Sequence, residues 1–212
     1  MDSKLIPEVV LNSGHKMPMI GFGTVSVPLP PHHELIPTFI NAIKIGYRHF
    51  DTAAYYGSEE PLDQAIDQAL EQGLIKNRSE IFITTKLWCT EAHPGLVLPA
   101  LKNSLKRLGL EYVDLYLIHH PVRLRQGVKG TNYNHGDILP FDMKGTWEDM
   151  ENCANLDLAK SIGLSNFGVK KISEILKYAS IPPALVQLES NPSLELNLIH
   201  KLALPPLHAR FI

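Results

Sequence analysis

Residues 81–120, IFITTKLWCTEAHPGLVLPALKNSLKRLGLEYVDLYLIHH, carry one complete strand–helix–strand cycle. The run 81–86 is short and mainly apolar, as expected of a strand covered on both faces. Residues 95–108 follow as a helix stopped by Gly109, and residues 113–119 form a second buried run. Both strands end on a polar side chain, Lys86 and His119. Two such strands joined by a helix imply a parallel βα unit.

The cycle extends in both directions. Toward the N-terminus, a hairpin is expected from residues 8–11, the turn Asn12-Ser13-Gly14 and residues 17–20, lying as a lid over one end. A first core run at 19–23 follows, then a helix at 34–45 with Leu35, Phe39, Ala42 and Ile43 on one face and Gly46 as its stop. Next come a strand at 47–51 and a helix at 58–72 ended by Gly73. Toward the C-terminus the pattern gives helix 144–155, strand 159–164, helix 169–178 and strand 185–188. Two parallel topologies compete, a doubly wound open sheet and a βα barrel. The first strand is not followed by a Gly-x-Gly-x-x-Gly turn, and Gly21-Phe22-Gly23 is a weak substitute, which weighs against a Rossmann dinucleotide site. Barrel enzymes carry their chemistry at the carboxyl ends of strands, where Asp51, Lys86 and His119 all stand. The expected fold is therefore α/β of the (β/α)8 TIM-barrel type, in one domain.

Composition sets limits on function. The chain has 212 residues, 44% hydrophobic and 20% charged, with a net charge of −2. That is an ordinary globular balance, with no basic stripe to attract nucleic acid. The start, MDSKLIPEVV, has no apolar core with a cleavage site, and no run approaches the ~18 apolar residues of a membrane span. A cytoplasmic protein with no membrane or nucleic-acid partner is expected. Cys89 and Cys153 are too few for a disulfide framework and lack metal spacing, so they read as buried reduced thiols and no metal is expected. The triplet Asn77-Arg78-Ser79 carries no meaning without secretion.

Asp51, Tyr56, Lys86 and His119 together suit carbonyl reduction. Hydride addition to a ketone leaves an alkoxide, which needs a proton and stabilisation of its charge. A phenol is a poor donor unaided. A lysine ammonium about 4 Å away is worth roughly 4 kcal/mol at an effective dielectric of ~20, at most about three pKa units. Asp51 would keep Lys86 charged, and a neutral His119 would hydrogen-bond the substrate carbonyl. Each residue has a plainer role taken singly: Asp51 as a cap, Tyr56 as core packing, Lys86 as a solvated strand end, His119 as a structural histidine. The doublets Tyr55-Tyr56 and His119-His120 leave open which member faces inward, since strand alternation allows either phase.

Longer motifs decide. Residues 46–53 (GYRHFDTA) with Tyr55-Tyr56-Gly57, 83–88 (ITTKLW), 114–119 (DLYLIH) and 162–167 (IGLSNF) resemble the signature of the aldo-keto reductases. The resemblance runs in register from about residue 8 to residue 193. It implies a (β/α)8 barrel, NADPH/NADP+ as cofactor and a small-molecule carbonyl substrate. By motif it makes Tyr56 the general acid, Asp51 and Lys86 its tuning pair and His119 the orienting residue. It places Asp51, Thr24, Ser165, Asn166 and Gln187 along the nicotinamide half of the cofactor, and Trp88 and His120 with His119 at the substrate. The segments 86–89, 96–101, 119–121 and 150–153 are similar to plant ketone reductases of specialised metabolism, such as the chalcone (polyketide), codeinone and methylecgonone reductases, which implies a bulky cyclic ketone or polyketide substrate.

The chain also departs from that pattern. Val186 stands where the family usually has asparagine, which implies a lost polar contact near nicotinamide. Asp157 stands where a glycine ends the fourth helix, at a cost on the order of 1 kcal/mol. Six βα strands are counted, and 202–212 (LALPPLHARFI) does not resemble a continuation into the seventh. The expectation is an incomplete barrel of about six βα units with an N-terminal β-hairpin, lacking the last two units and with them the adenosine and 2′-phosphate site. Open edges at the first and sixth strands would then favour self-association, although Pro205 and Pro206 would blunt one edge. Three readings follow: an NADPH-dependent reductase, a catalytically incompetent truncated remnant or interaction module, and a Rossmann dehydrogenase, which the missing phosphate loop disfavours.

Overall fold

The fold is taken from a computed structural model that describes residues 6–188. The expected tail at 202–212 and the residues after 188 lie outside these. Six parallel strands form one sheet in the order β10-β9-β6-β5-β4-β3. They are β3 (Phe22–Gly23), β4 (His49–Asp51), β5 (Phe82–Leu87), β6 (Leu115–Ile118), β9 (Ile162–Ser165) and β10 (Val186–Gln187). Two antiparallel pairs stand apart from that sheet, β1 (Glu8–Val10) with β2 (Lys16–Pro18) and β7 (Arg123–Leu124) with β8 (Ile138–Leu139). Every sheet strand lies beside the strand that precedes it in the βα series, with no reversal of order. A doubly wound sheet must reverse at its switch point. The order is that of a barrel wall, and the curled six-stranded sheet is an incomplete (β/α) barrel.

Among the described residues five α-helices cover one face: α1 (His32–Ile45), α2 (Glu59–Glu71), α3 (Val97–Arg107), α4 (Met143–Asn155) and α5 (Val169–Ile175). Their apolar stripes meet the outward-facing residues Phe50, Ile83, Leu87, Tyr116, Ile118, Ile162 and Leu164 in the main core. The opposite set, alternating with these at period two, faces inward. At the amino end that inner face is closed by the hairpin, whose Leu11 and Met17 pack on Phe82, Leu115, Leu117, Ala184 and Leu185. The lid expected from the sequence is therefore a floor beneath the sheet, joined to it by Asn12 Nδ2 donating to the Pro183 carbonyl at 2.9 Å and by the Ser13–Ser161 hydroxyl pair at 2.8 Å.

The elements match the sequence pattern within a few residues, with two corrections. Met19 and Ile20, expected in the first core run, are about half exposed, because residues 19–20 bend the chain from the hairpin into β3. The fifth helix ends at Ile175, and residues 176–178 continue only as a turn. The β7–β8 pair has no counterpart in the sequence reading.

An ion pair lies on the helix side of β5. Thr85 Oγ1 donates to Glu59 Oε1 at 2.6 Å, and Arg107 Nε donates to Glu59 Oε2 at 2.6 Å, so α2, α3 and β5 share one buried carboxylate.

Helix ends follow a common plan. At Gly46, Gly73 and Gly109 the chain turns left-handed, and the next amide bonds back into the last turn: Tyr47 to Ala42, Leu74 to Ala69, Leu110 to Leu105. At the end of α4, Leu158 bonds the Cys153 carbonyl in the same way, but the left-handed position is Asp157, at φ 59°. An L-residue with a Cβ pays there what glycine does not. The Asp157 carboxylate compensates only by a 3.4 Å exposed pair with Lys160, worth little. Asp157→Gly should therefore stabilise the protein by about 0.5–1 kcal/mol in urea denaturation. A midpoint that is unchanged or lower would refute this account of the α4 terminus.

Candidate active site

Three strand ends converge on the inner face. Asp51 closes β4 opposite Thr84, Lys86 lies near the end of β5, and His119 follows β6 with its amide bonded to the Leu87 carbonyl at 3.1 Å. All three are buried, at 3%, 1% and 5% exposure. Lys86 Nζ pairs with Asp51 Oδ1 and also donates to the Thr52 carbonyl at 3.1 Å and to Tyr56 Oη at 3.2 Å. Tyr56 Oη lies 3.3 Å from His119 Nε2. The expected four side chains thus form one contiguous set.

The structure also resolves the two doublets. Tyr56 turns inward to Lys86 and His119, whereas Tyr55 turns to the rim and stacks on Trp88 with ring centroids 3.9 Å apart and planes at 14°. His119 holds the inner position, and His120 stacks on it at 4.7 Å. Trp88 meets both imidazoles edge-on, at 5.2 and 5.9 Å.

The residues expected along the cofactor form a chain beside this set. Gln187 Nε2 donates to Asp51 Oδ2 at 3.0 Å, and Ser165 Oγ donates to Gln187 Oε1 at 3.4 Å. Asn166, exposed and held at φ 63°, donates from Nδ2 to the His119 carbonyl at 2.9 Å and to Ser165 Oγ at 3.1 Å. Its side-chain oxygen has no partner in these bonds. Thr24 is placed differently. Its hydroxyl donates to the Asp51 carbonyl at 3.1 Å and pairs with Ser58 Oγ at 2.6 Å, and Ser58 pairs in turn with Thr52 at 2.8 Å. Thr24 thus braces the Asp51 turn. Val186 is buried in the helix-side core, alternating with the inward Gln187, so a substitution there changes core packing and does not bear on a contact at the inner face.

Burial dominates the electrostatics. It pushes the Tyr56 phenol above its ordinary value. The Lys86 ammonium opposes this, Asp51 reinforces it, and the net direction is upward. The sequence argument expected lysine to prevail; the desolvation of a half-buried phenol outweighs it. His119 is lowered to about 2, by burial first, then by the charges of Lys86 and His120. It is a neutral imidazole throughout the physiological range, and its Nδ1 is buried without a partner among the described residues. His120 is lowered by burial and by Lys86. Beneath the set His49 is likewise lowered by burial, with Nε2 2.9 Å from Thr84 Oγ1. Cys89 and Cys153 are free and buried, and burial pushes both thiols up to about 12, so neither supplies a thiolate nucleophile.

This fold and this polar set place the chain in a known class. Residues 19–203 match the model of the aldo/keto reductase family, and the chain belongs to that family. It is 55% identical over 187 residues to Protein REDOX 2 of Catharanthus roseus, covering 88% of this chain and 58% of that protein. It is 51% identical over 194 residues to NADPH-dependent codeinone reductase 1-2 of Papaver somniferum, covering 92% and 60%. The Bombyx mori aldo-keto reductase solved in complex with NADP superposes with a TM-score of 0.82 at 35% identity, covering 96% of this chain and 66% of that one. The chain thus spans 58 to 60% of the length of these two curated relatives.

Two features of the site escaped the sequence reading, the Tyr55–Trp88 stack and the Ser58 brace. The first had a visible signal in the Tyr55-Tyr56 doublet, which puts one ring inside and one at the rim. The second had none.

Depression of His119 carries a stability consequence. The folded state refuses a proton that the unfolded chain takes up below its ordinary value of 6.5. The stabilisation is therefore complete above about pH 6.5 and is lost as pH falls toward 2, at about 1.4 kcal/mol per pH unit for one group. Replacing His119 by phenylalanine should flatten the acid limb of the stability–pH curve by about 1 kcal/mol per unit between pH 6 and 4. Superimposable slopes would contradict a buried neutral His119.

Proposed function

We propose that this chain carries the proton-delivery site of an NADPH-dependent ketone or aldehyde reductase, with Tyr56 as the proton donor. The observation that carries the reading is the Lys86 ammonium held 3.2 Å from the Tyr56 hydroxyl by a buried carboxylate, with His119 Nε2 3.3 Å away on the other side. A phenol raised by burial stays protonated at rest, which is the donating form. As the carbonyl oxygen gains negative charge it draws the proton from Tyr56 Oη, and the nascent phenolate lies against the Lys86 charge. That interaction is stronger in the transition state than in the ground state, which is what accelerates the step. Asp51 holds the lysine in place by pairing with its Nζ inside the buried set. His119, unable to take up a proton near neutral pH, orients the carbonyl by a hydrogen bond and does not divert the proton.

Ser165, Asn166 and Gln187, with Asp51 and the Thr24 turn, form an amide- and hydroxyl-lined edge beside Tyr56 that suits a carboxamide group, and the free Asn166 oxygen is an acceptor for it. When bound there, the nicotinamide would supply the hydride. The names of the codeinone reductase and of the NADP complex support NADPH/NADP+. Trp88 and His120 form the aromatic wall on the substrate side, and the plant relatives support a bulky specialised-metabolite ketone. Among the described residues no helix is long and apolar enough to cross a membrane.

A second reading is favoured by the sheet itself. Its outermost described strands, β3 and β10, end the hydrogen-bonded order among the described residues. On that reading this stretch of chain acts by pairing, with itself or another chain, and does not turn over.

Ketone-dependent oxidation of NADPH separates the two. Tyr56→Phe should lower kcat by at least about 100-fold, as loss of a general acid does, and Lys86→Met should abolish measurable turnover. A purified chain with no turnover and no NADPH binding would favour the second reading; turnover that survives Tyr56→Phe would reject Tyr56 as donor.

A further inference from the structure

Between β6 and α4 the chain forms a strap over residues 121–141 that the catalytic reading does not use. The strap is folded on itself by the β7–β8 pair, by the Arg125 amide on the Asp137 carbonyl at 2.8 Å and by a capping box at Asn134. Its middle, at Val128 and Gly130, lies across a cavity of about 300 Å³ from Tyr55, Trp88 and Arg107. The strap thus stands against the back of the Tyr55–Trp88 stack.

What attaches it to the barrel rim is concentrated at one buried histidine. His93, in the loop between β5 and α3, is 8% exposed. Arg123 Nε donates to His93 Nδ1 at 2.8 Å, and His93 Nε2 lies 2.8 Å from the Leu124 carbonyl. An arginine cannot accept, so Nδ1 must hold a lone pair; a carbonyl cannot donate, so Nε2 must carry the hydrogen. The two neighbours therefore fix one tautomer, and a histidine in that form satisfies both. Around it the Leu124 amide bonds the Cys89 carbonyl at 3.0 Å, and Arg123 Nη1 reaches Pro140 O at 3.4 Å, so one arginine joins His93 to the strap's far arm. Lys171 Nζ holds the strap's base through the Pro121 carbonyl at 3.0 Å.

We infer that His93 is a positioning residue that latches the 121–141 strap to the strand rim and so fixes the wall formed by Tyr55 and Trp88. It touches neither the proton-donating set nor the inner face. The attachment stands on the geometry alone; its effect on ketone binding rests on the reductase reading above.

The test compares His93→Leu, which removes both bonds, with His93→Gln, whose amide keeps one acceptor and one donor, and with Arg123→Met, which removes the first bond and the long Pro140 contact but leaves His93 on the Leu124 carbonyl. Hydrogen exchange of the full chain is read at the amides of Leu124 and Arg125. His93→Leu should accelerate exchange there about tenfold or more, Arg123→Met by less, and His93→Gln should restore most of the protection. In turnover assays with a bulky ketone, His93→Leu should raise KM about fivefold or more with kcat little changed, as expected when binding and not proton transfer is disturbed. Unaltered exchange in folded His93→Leu protein overturns the latch. So does equal acceleration in the leucine and glutamine variants, which would make His93 a mere filler of space. Should the wild-type chain reduce no ketone, the reductase reading fails, while the exchange comparison still decides the latch.

Discussion

A lysine and an aspartate facing each other inside the curve of the sheet set the terms for everything around them. Taking two charges out of water costs several kcal/mol each, and their attraction compensates only when every remaining valence finds a partner. Lys86 has Asp51, the Thr52 carbonyl and Tyr56; Asp51 has Lys86 and Gln187. Those partners come from β4, β5, β10 and the turn after β4, so the requirement to satisfy one ion pair also fixes the relative position of three strands. Thr24 and Ser58 secure the same turn from outside. The pair then acts on its neighbours: its cation adds to the lowering of His119 by burial and opposes the upward push of burial on Tyr56.

The helix side of β5 repeats the device with a different geometry. Glu59 and Arg107 pair behind Thr85, one residue before Lys86 and therefore on the opposite face. The strand is thus pinned by ionic contacts on both faces, and apolar packing secures its ends.

How much of this could be read from the sequence differs residue by residue. Asp51, Lys86 and His119 were legible because a parallel strand buried on both faces has few places for a charge other than its carboxyl end. The choice of Tyr56 over Tyr55 and of His119 over His120 was not legible from alternation. Both doublets stand where the chain leaves the ladder, and there the period of two no longer holds. The motif register chose Tyr56 and His119, and the geometry puts those two rings in the polar set while Tyr55 packs at the rim. The 121–141 strap escaped because it is polar, short in its strands and held by tertiary bonds. The net direction of Tyr56 was misjudged because composition shows a lysine nearby but not the depth at which the phenol lies.

Gln187 and Asp51 are 136 residues apart in the chain, yet their bond completes the coordination of the ion pair. Contacts so distant in sequence carry a loop-closure entropy that local contacts do not. Without β10, Asp51 Oδ2 would lose its Gln187 partner and the buried pair would keep fewer of its bonds. The polar set therefore depends on the docking of β10 as well as on β4 and β5, which supply its two charges.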